Sequence, residues 1–349
     1  MKFGSCWKVV GADGGGKGSP IGICTIYTMT SPTTGIDFAI ATRIHVGQSS
    51  HLPNIDNLKD TLITFAHLAR EVGASLAIVA VDATPKFTDY DFVATVKGIC
   101  RRIEKDYESD VNVLLTEGVM PRIAIIPVTP WGKFVPALNA IATYCADMCM
   151  PRVLMISVEV KLTRAAMEVL QSNMVADEEC ETLVVGATLN GHEHHALVFD
   201  ASSCTPHSQP TNICDPSRLM KEVKLTGRTT PWNTCALWDV RKLALTGFLL
   251  VSEGLHYSPS NDNDGSGSRI EGGVEEVVTI ATLQRILGPK KACAKLVHIP
   301  PHMISWETDN FDNDAGRKEW HEHKMDSKIT RAQAQLNLLG LNDGVVIHC

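Results

Sequence analysis

Three apolar runs in this chain carry residues that can do chemistry to the place where a strand would end. Residues 76 to 82 (LAIVAVD) finish on Asp82, residues 122 to 130 (RIAIIPVTP) lead into WGKFVPALNAI, and residues 152 to 159 (RVLMISVE) deliver Glu159. In an open α/β sheet, ligands bind beyond the carboxyl ends of the strands, so acids placed there serve nucleotide and metal chemistry. A further pair of carboxylates, Glu275 and Glu276, stands between a long polar loop at residues 256 to 272 and the start of a helical pattern. A long loop beside paired carboxylates is a candidate active-site lid. Together these features point to a nucleotide-handling enzyme.

Several other motifs do not carry chemistry on inspection. The stretch G-A-D-G-G-G-K-G, Gly11 to Gly18, imitates a phosphate-cradling Walker loop, but Gly18 stands where Ser or Thr is needed and Ser-Pro-Ile-Gly follows in place of a helix. The run His192-Glu193-His194-His195 lies on a predicted strand, whereas the zinc-protease pattern needs H-E-x-x-H on a helix. It reads instead as polar residues on a solvent-facing strand. Eleven cysteines form no C-x-x-C pair and are spread from Cys6 to Cys349, which predicts reduced thiols. Cys145 and Cys149 share a predicted helix at i, i+4 and read as two small packed residues.

The elements that must position Asp82 and Glu159 follow from periodicity. Residues 39 to 46 (AIATRIHV) are a strand candidate, and Leu58, Leu62, Phe65 and Ala69 fall at helical spacing within residues 56 to 71. Residues 88 to 107 predict a helix with a basic patch of Lys97, Arg101 and Arg102 on a solvated face. The segment from Lys133 to Met148 places Val135, Leu138, Ile141, Ala142 and Cys145 on one face. Strand and helix in alternation predict a mainly parallel sheet with right-handed crossovers. A helix over residues 163 to 176 follows, with Thr163 as its N-cap, and Asn190-Gly191 between two β-like runs signals an antiparallel hairpin insertion. Residues 201 to 217 and 256 to 272 read as mobile loops. From Asp314 to Leu339 the pattern is one long helix, with His321, Met325, Ile329, Ala332 and Leu336 inward and Arg317, Lys324, Lys328 and Arg331 in a solvated basic stripe. The predicted fold is therefore α/β, a mixed and mainly parallel sheet flanked by helices.

A length of 349 residues allows a substantial core, and a net charge of −7 with both signs interspersed gives no footprint for a phosphate backbone, which sets nucleic acid aside. No apolar run reaches the roughly 20 residues of a membrane span, and the N-terminus lacks a signal-peptide core, so the expected compartment is the cytoplasm.

Over roughly residues 36 to 330, the order of these pieces resembles the GT-A glycosyltransferases, and among them the family 2 type. The resemblance implies one GT-A-like domain over residues 1 to 349, with a nucleotide-binding half at 36 to 160 and an acceptor-binding half at 161 to 349. It places Thr42 and Arg43 of AIATRIHV at the opening of the nucleotide site and Asp82 near the base. Lys133 and the Ala137-Leu138-Asn139 helix precede the strand that carries the metal motif, and Trp232 and Asn233 of PWNTCALWDVRKLALTGFL line the acceptor stretch. The family's Asp-x-Asp position reads Ser157-Val158-Glu159, leaving one carboxylate, and His321 is the candidate second ligand for Mn²⁺ or Mg²⁺. Gly272-Gly273-Val274-Glu275-Glu276 falls where the catalytic base resides.

What the resemblance implies is transfer of a sugar from a nucleoside-diphosphate donor, a cosubstrate, to an acceptor the sequence does not identify. Metal at Glu159 would offset charge on the departing diphosphate, and Glu275 or Glu276 would take the acceptor proton. Two other readings remain open: a GT-A-like binding or scaffold protein that has lost catalysis with the second aspartate, and a sugar-phosphate nucleotidyltransferase. Oligomeric state is left open.

Overall fold

Strand β2 (Leu76–Asp82) is buried along its whole length, as expected of a continuous apolar run covered on both faces. It pairs in parallel with β1 (Ala39–Ile44) and β3 (Arg122–Val128), and β1 pairs in parallel with β4 (Arg152–Ile156). The computed structural model describes residues 37–45, 54–85, 91–109, 121–175, 180–195, 220–256, 269–272, 274–306 and 315–349. Within them, β6 (Thr182–Ala187), β7 (Lys221–Lys224), β8 (Cys235–Asp239), β11 (Cys293–Val297) and β13 (Val345–His348) complete a nine-stranded sheet in the order β3-β2-β1-β4-β8-β6-β11-β13-β7. β8 runs antiparallel to both β4 and β6, and β7 runs antiparallel to β13, so the sheet is mixed and mainly parallel, as predicted. Short β5 (Val160–Leu162) pairs with β12 (Ile304–Trp306) outside this sheet.

The pleat divides the core into two layers. Phe38 and Ile40 point to one layer, with α1 (Ile55–Glu71), α2 (Phe92–Ser109) and α4 (Arg164–Met174). Ala39 and Ala41 point to the other, with α3 (Val135–Asp147), α6 (Glu275–Leu287) and the C-terminal part of α7 (Ala315–Leu339). The short α5 (Val240–Leu243) joins this second layer. Helix α1 buries Leu58, Leu62, Phe65 and Ala69 and starts at Asn54, whose side chain accepts from the amides of Asp56 and Asn57. Thr163 caps α4 by accepting from the Ala166 amide, and α3 buries the five residues its spacing predicts. All described residues belong to the unit Ile36–Cys349.

The local readings need correction at three places. Gly191 has φ +94°, but Asn190 is not left-handed and residues 192 to 195 form no strand, so the type I′ hairpin does not form there. The antiparallel hairpin instead joins β9 (Gly254–His256) to β10 (Arg269–Glu271), so the end of the predicted mobile loop is strand. Cys149 lies beyond the end of α3 at φ +55° and is exposed, while Cys145 is buried, so the two do not pack as a pair. The glycine-rich stretch and the loop at residues 201 to 217 lie outside the described residues.

Candidate active site

Every sequence-predicted site residue on a parallel strand lies toward one edge of the sheet, at the strands' carboxyl ends. Thr42 is buried and pairs with Val79, Arg43 pairs with Ala80, and Asp82 closes β2 opposite Val128. The buried Asp82 carboxylate accepts from the Thr84 amide at 2.9 Å, and the Thr84 hydroxyl in turn accepts from the Trp131 amide at 3.3 Å. His45 lies tilted against the Trp131 ring, with centroids 5.9 Å apart. Thus β1, β2 and the segment after β3 present an acid, an imidazole and an indole along one rim.

Beyond β4, the Ser157 amide donates to the Thr234 carbonyl, which ties the Ser157-Val158-Glu159 turn to the segment carrying Trp232 and Asn233. Glu159 is exposed, and one of its oxygens accepts from the Ser157 hydroxyl. Among the described residues no three His, Cys, Asp or Glu side chains gather as a metal cage. A cation bound mainly through a diphosphate needs few protein oxygens, so one exposed carboxylate fits that role and no larger one. His321 lies on α7, but its side chain is outside the described residues.

The densest chemistry lies where the segment before β8 meets the first turn of α6. Glu275 and Glu276 are both buried there. The Asn233 amide N–H donates to Glu276 Oε1 at 2.6 Å, and Asn233 Nδ2 donates to Glu275 Oε1 at 3.3 Å. Burial pushes the Glu276 carboxyl up to about 7; the Glu275 charge adds to this, while Lys328 and the Asn233 amide oppose it. A carboxyl held near neutrality can give and take a proton at ordinary pH.

Trp232 immediately precedes Asn233, the residue that joins this pair. Its indole donates to the Gly227 carbonyl at 2.8 Å, His192 stacks on its ring at 3.6 Å and 25°, and Lys328 Nζ stands 3.3 Å from the ring centroid. His192 Nε2 faces the Thr230 carbonyl at 3.0 Å and must donate, so Nδ1 accepts from the Leu189 amide at 2.9 Å. Burial, with Lys328 second, lowers its pKa to about 3, so this imidazole is neutral. Lys328 and Arg331 therefore do not belong to a solvated stripe: Lys328 covers Trp232, and Arg331 donates to the Gly272 carbonyl ahead of Glu275. Gly227 makes this approach possible, because a Cβ there would meet the Lys328 carbonyl oxygen at 2.4 Å.

The α3 end of the rim is held by a residue that carries no sequence signal. Glu253, at the end of a 3₁₀ turn (Leu250–Glu253), accepts with Oε1 from the amides of Lys133, Phe134 and Val135 at 3.0, 2.9 and 2.8 Å. The N-terminus of α3 is thereby capped by a carboxylate from 118 residues away. The Lys133 side chain remains exposed. Asn139 is engaged at both ends of its amide by the Phe248 backbone, at 2.9 and 2.7 Å. The structure thus unites Trp232, Asn233, Glu275 and Glu276, ties the Glu159 turn to them, and places Thr42, Arg43 and Asp82 at the same edge. Asn139 stands on α3, and Lys133 lies two residues ahead of its first turn.

The run from His192 to His195 is not a solvent-facing strand. His194 stacks on His348 at 5.0 Å and 1°, and the His195 amide donates to His348 Nδ1 at 2.9 Å. His348 Nε2 donates to the Thr229 carbonyl at 3.0 Å, and burial pushes His348 down to about 4.

No family model and no curated protein matches the chain. Among solved structures it is similar to HddC from Yersinia pseudotuberculosis, at 11% identity and a TM-score of 0.26 over 43% of this chain and 57% of that one. It is also similar to S. aureus TarS 1-349, at 11% and 0.32 over 70% and 54%, and to the same protein in complex with UDP-GlcNAc, at 12% and 0.30 over 61% and 48%. UDP-glucose pyrophosphorylase from Acinetobacter baumanii gives 12% and 0.31 over 61% and 77%. The chain spans little more than half the length of HddC and TarS 1-349. Scores this low carry no argument about activity, which has to rest on the site itself.

Proposed function

We propose that the chain is a nucleotide-sugar-dependent glycosyltransferase of the GT-A type. The observation that carries this reading is Glu276: a buried carboxyl near neutrality, joined with Glu275 to Asn233, at the sheet edge where Asp82 and Glu159 also end. Asp82 and Arg43 would receive the nucleotide at the β1–β2 rim, with Thr42 beneath them, Lys133 just ahead of α3 and Asn139 on it. Trp232, buried between His192 and Lys328, holds the segment that brings Asn233 to the pair. Glu276 takes the acceptor hydroxyl proton as the acceptor oxygen forms its bond to the anomeric carbon; the bond from that carbon to the diphosphate breaks, and the nucleoside diphosphate leaves with the electron pair. Glu159 would hold Mg²⁺ or Mn²⁺ through one oxygen, and the cation when bound would offset charge on the leaving diphosphate.

The exposure of Glu159 favours one other reading, a GT-A-like protein that binds sugar nucleotides without turnover. Thermal shift against UDP-, GDP- and CDP-linked sugars, with and without Mn²⁺, tests the binding common to both. One nucleotide should raise the melting temperature and lose that effect in Asp82→Asn; no shift with any of them removes both readings.

A further inference from the structure

The basic patch of α2 has one member, Arg102, that lines a cavity of about 360 Å³ between α1 and α2. Two helical stripes border it. Ile63 and His67 follow Lys59 at i+4 and i+8 on α1, and Ile103 and Tyr107 follow Ile99 at the same steps on α2. Ile103 is buried, and Ile63, Ile99 and Tyr107 pack half-buried against the core, so the floor of this trough is apolar. Where the stripes end, the Tyr107 hydroxyl meets His67 Nδ1 at 2.6 Å and the two rings stand edge-on at 5.4 Å and 72°. The Arg70 guanidinium lies 4.9 Å from the Tyr107 ring centre, so this end is polar and joins the two helices.

The charges are divided along the trough. Asp106 adjoins Tyr107 at the joined end, whereas Lys59 lies about two turns before that contact and Arg102 more than one turn. Lys59 and Arg102 are exposed cations beside an apolar floor, and together they exceed Asp106 by one charge. We propose that the trough is a binding site for a small amphipathic carboxylate, with its apolar body on Ile63, Ile99 and Ile103 and its carboxylate between Lys59 and Arg102. The cavity falls within the size range of small-molecule sites, and eight residues of helix give it a length of about 12 Å. A guanidinium suits a carboxylate because its planar fork can donate to both oxygens. A bare anion would leave the isoleucines uncovered, and a neutral apolar molecule would leave the cations unanswered. None of the lining residues belongs to the candidate active site, so this inference goes beyond the proposed function and does not depend on it.

Octanoate is the probe, with octanol carrying the chain without the charge and acetate the charge without the chain. NMR of the full chain labelled at isoleucine methyls follows Ile63, Ile99 and Ile103 through each titration, below the concentration at which octanoate forms micelles. Octanoate should move these three signals saturably, and acetate should leave them in place. Octanol should bind about tenfold more weakly, the worth of a charge-assisted hydrogen bond. Lys59→Gln with Arg102→Gln should bring octanoate to the affinity of octanol, and Ile63→Glu should abolish its binding by setting a like charge on the floor. The absence of a saturable shift in the wild type overturns the proposal, as does octanol binding as tightly as octanoate or octanoate binding that Ile63→Glu leaves intact. The comparison of octanoate with octanol needs no variant, so it decides the matter even where a substitution prevents folding.

Discussion

Glu253→Ala removes the one carboxylate that accepts three amides at the start of α3. Loss of an N-terminal cap costs about 1–2 kcal/mol, and the missing negative charge at the positive end of the helix adds roughly 0.5 kcal/mol. Water reaches the exposed Lys133 side of the turn and recovers part of this, so the net cost is about 2 kcal/mol. A folded unit spanning Ile36–Cys349 unfolds with an entropy of roughly 0.65 kcal/mol/K, which converts that loss to a fall of ~3 °C in melting temperature. Glu253→Gln keeps an acceptor oxygen and loses only the charge, so its fall should be about a third as large. Differential scanning calorimetry at pH 7 measures both. A melting temperature for Glu253→Ala equal to wild type, or a larger loss in Gln than in Ala, would refute the cap.

Four further outcomes follow from the same geometry. His348 and His192 sit below the ordinary imidazole value, so their contribution to stability is complete above about pH 6.5 and is lost as pH falls toward 4; melting temperature against pH should drop across that window. His348→Asn should flatten the drop. Glu276 shifts the other way: the native state holds a proton that the unfolded chain has released, so stability falls as pH rises from about 4.5 to 7, and Glu276→Gln should be more stable than wild type at pH 8 by denaturant titration. Lys328→Met removes the cation that opposes this shift, so the Glu276 titration, followed by carboxyl-labelled NMR, should move to higher pH. Gly227→Ala forces a Cβ into the Lys328 carbonyl and should cost on the order of 1–3 kcal/mol, read by urea unfolding.

Much of the scaffold could be read from the chain because its signals are local. The helical spacing of Leu58, Leu62, Phe65 and Ala69, the Thr163 cap, and the long C-terminal helix depend on neighbours within a turn or two, and all appear where periodicity puts them. Asn190-Gly191 misleads for the opposite reason. The turn is shaped by Met325 and Trp232, which crowd Gly191, and by His192 folding back onto Leu189 and Thr230. No window of sequence contains those partners. The same limit hid Glu253, whose cap spans more than a hundred residues, and the part of Asn233, which reaches two carboxyls more than forty residues away. Lys328 was visible as part of a basic stripe, but only the close approach of Gly227 to α7 shows which way it faces. The Glu275-Glu276 pair was legible as a doublet opening a helix, and its shared partner Asn233 was not.

The central claim is that this edge transfers a sugar with Glu276 as the base, and the direct measurement is release of nucleoside diphosphate from a donor that stabilises the protein, comparing wild type with Glu276→Gln. The account predicts slow release by the wild type even to water as acceptor, rising with pH through about 7, and retained donor binding with release abolished in the variant. Equal release by both proteins, or release that falls as pH rises through that range, would contradict it.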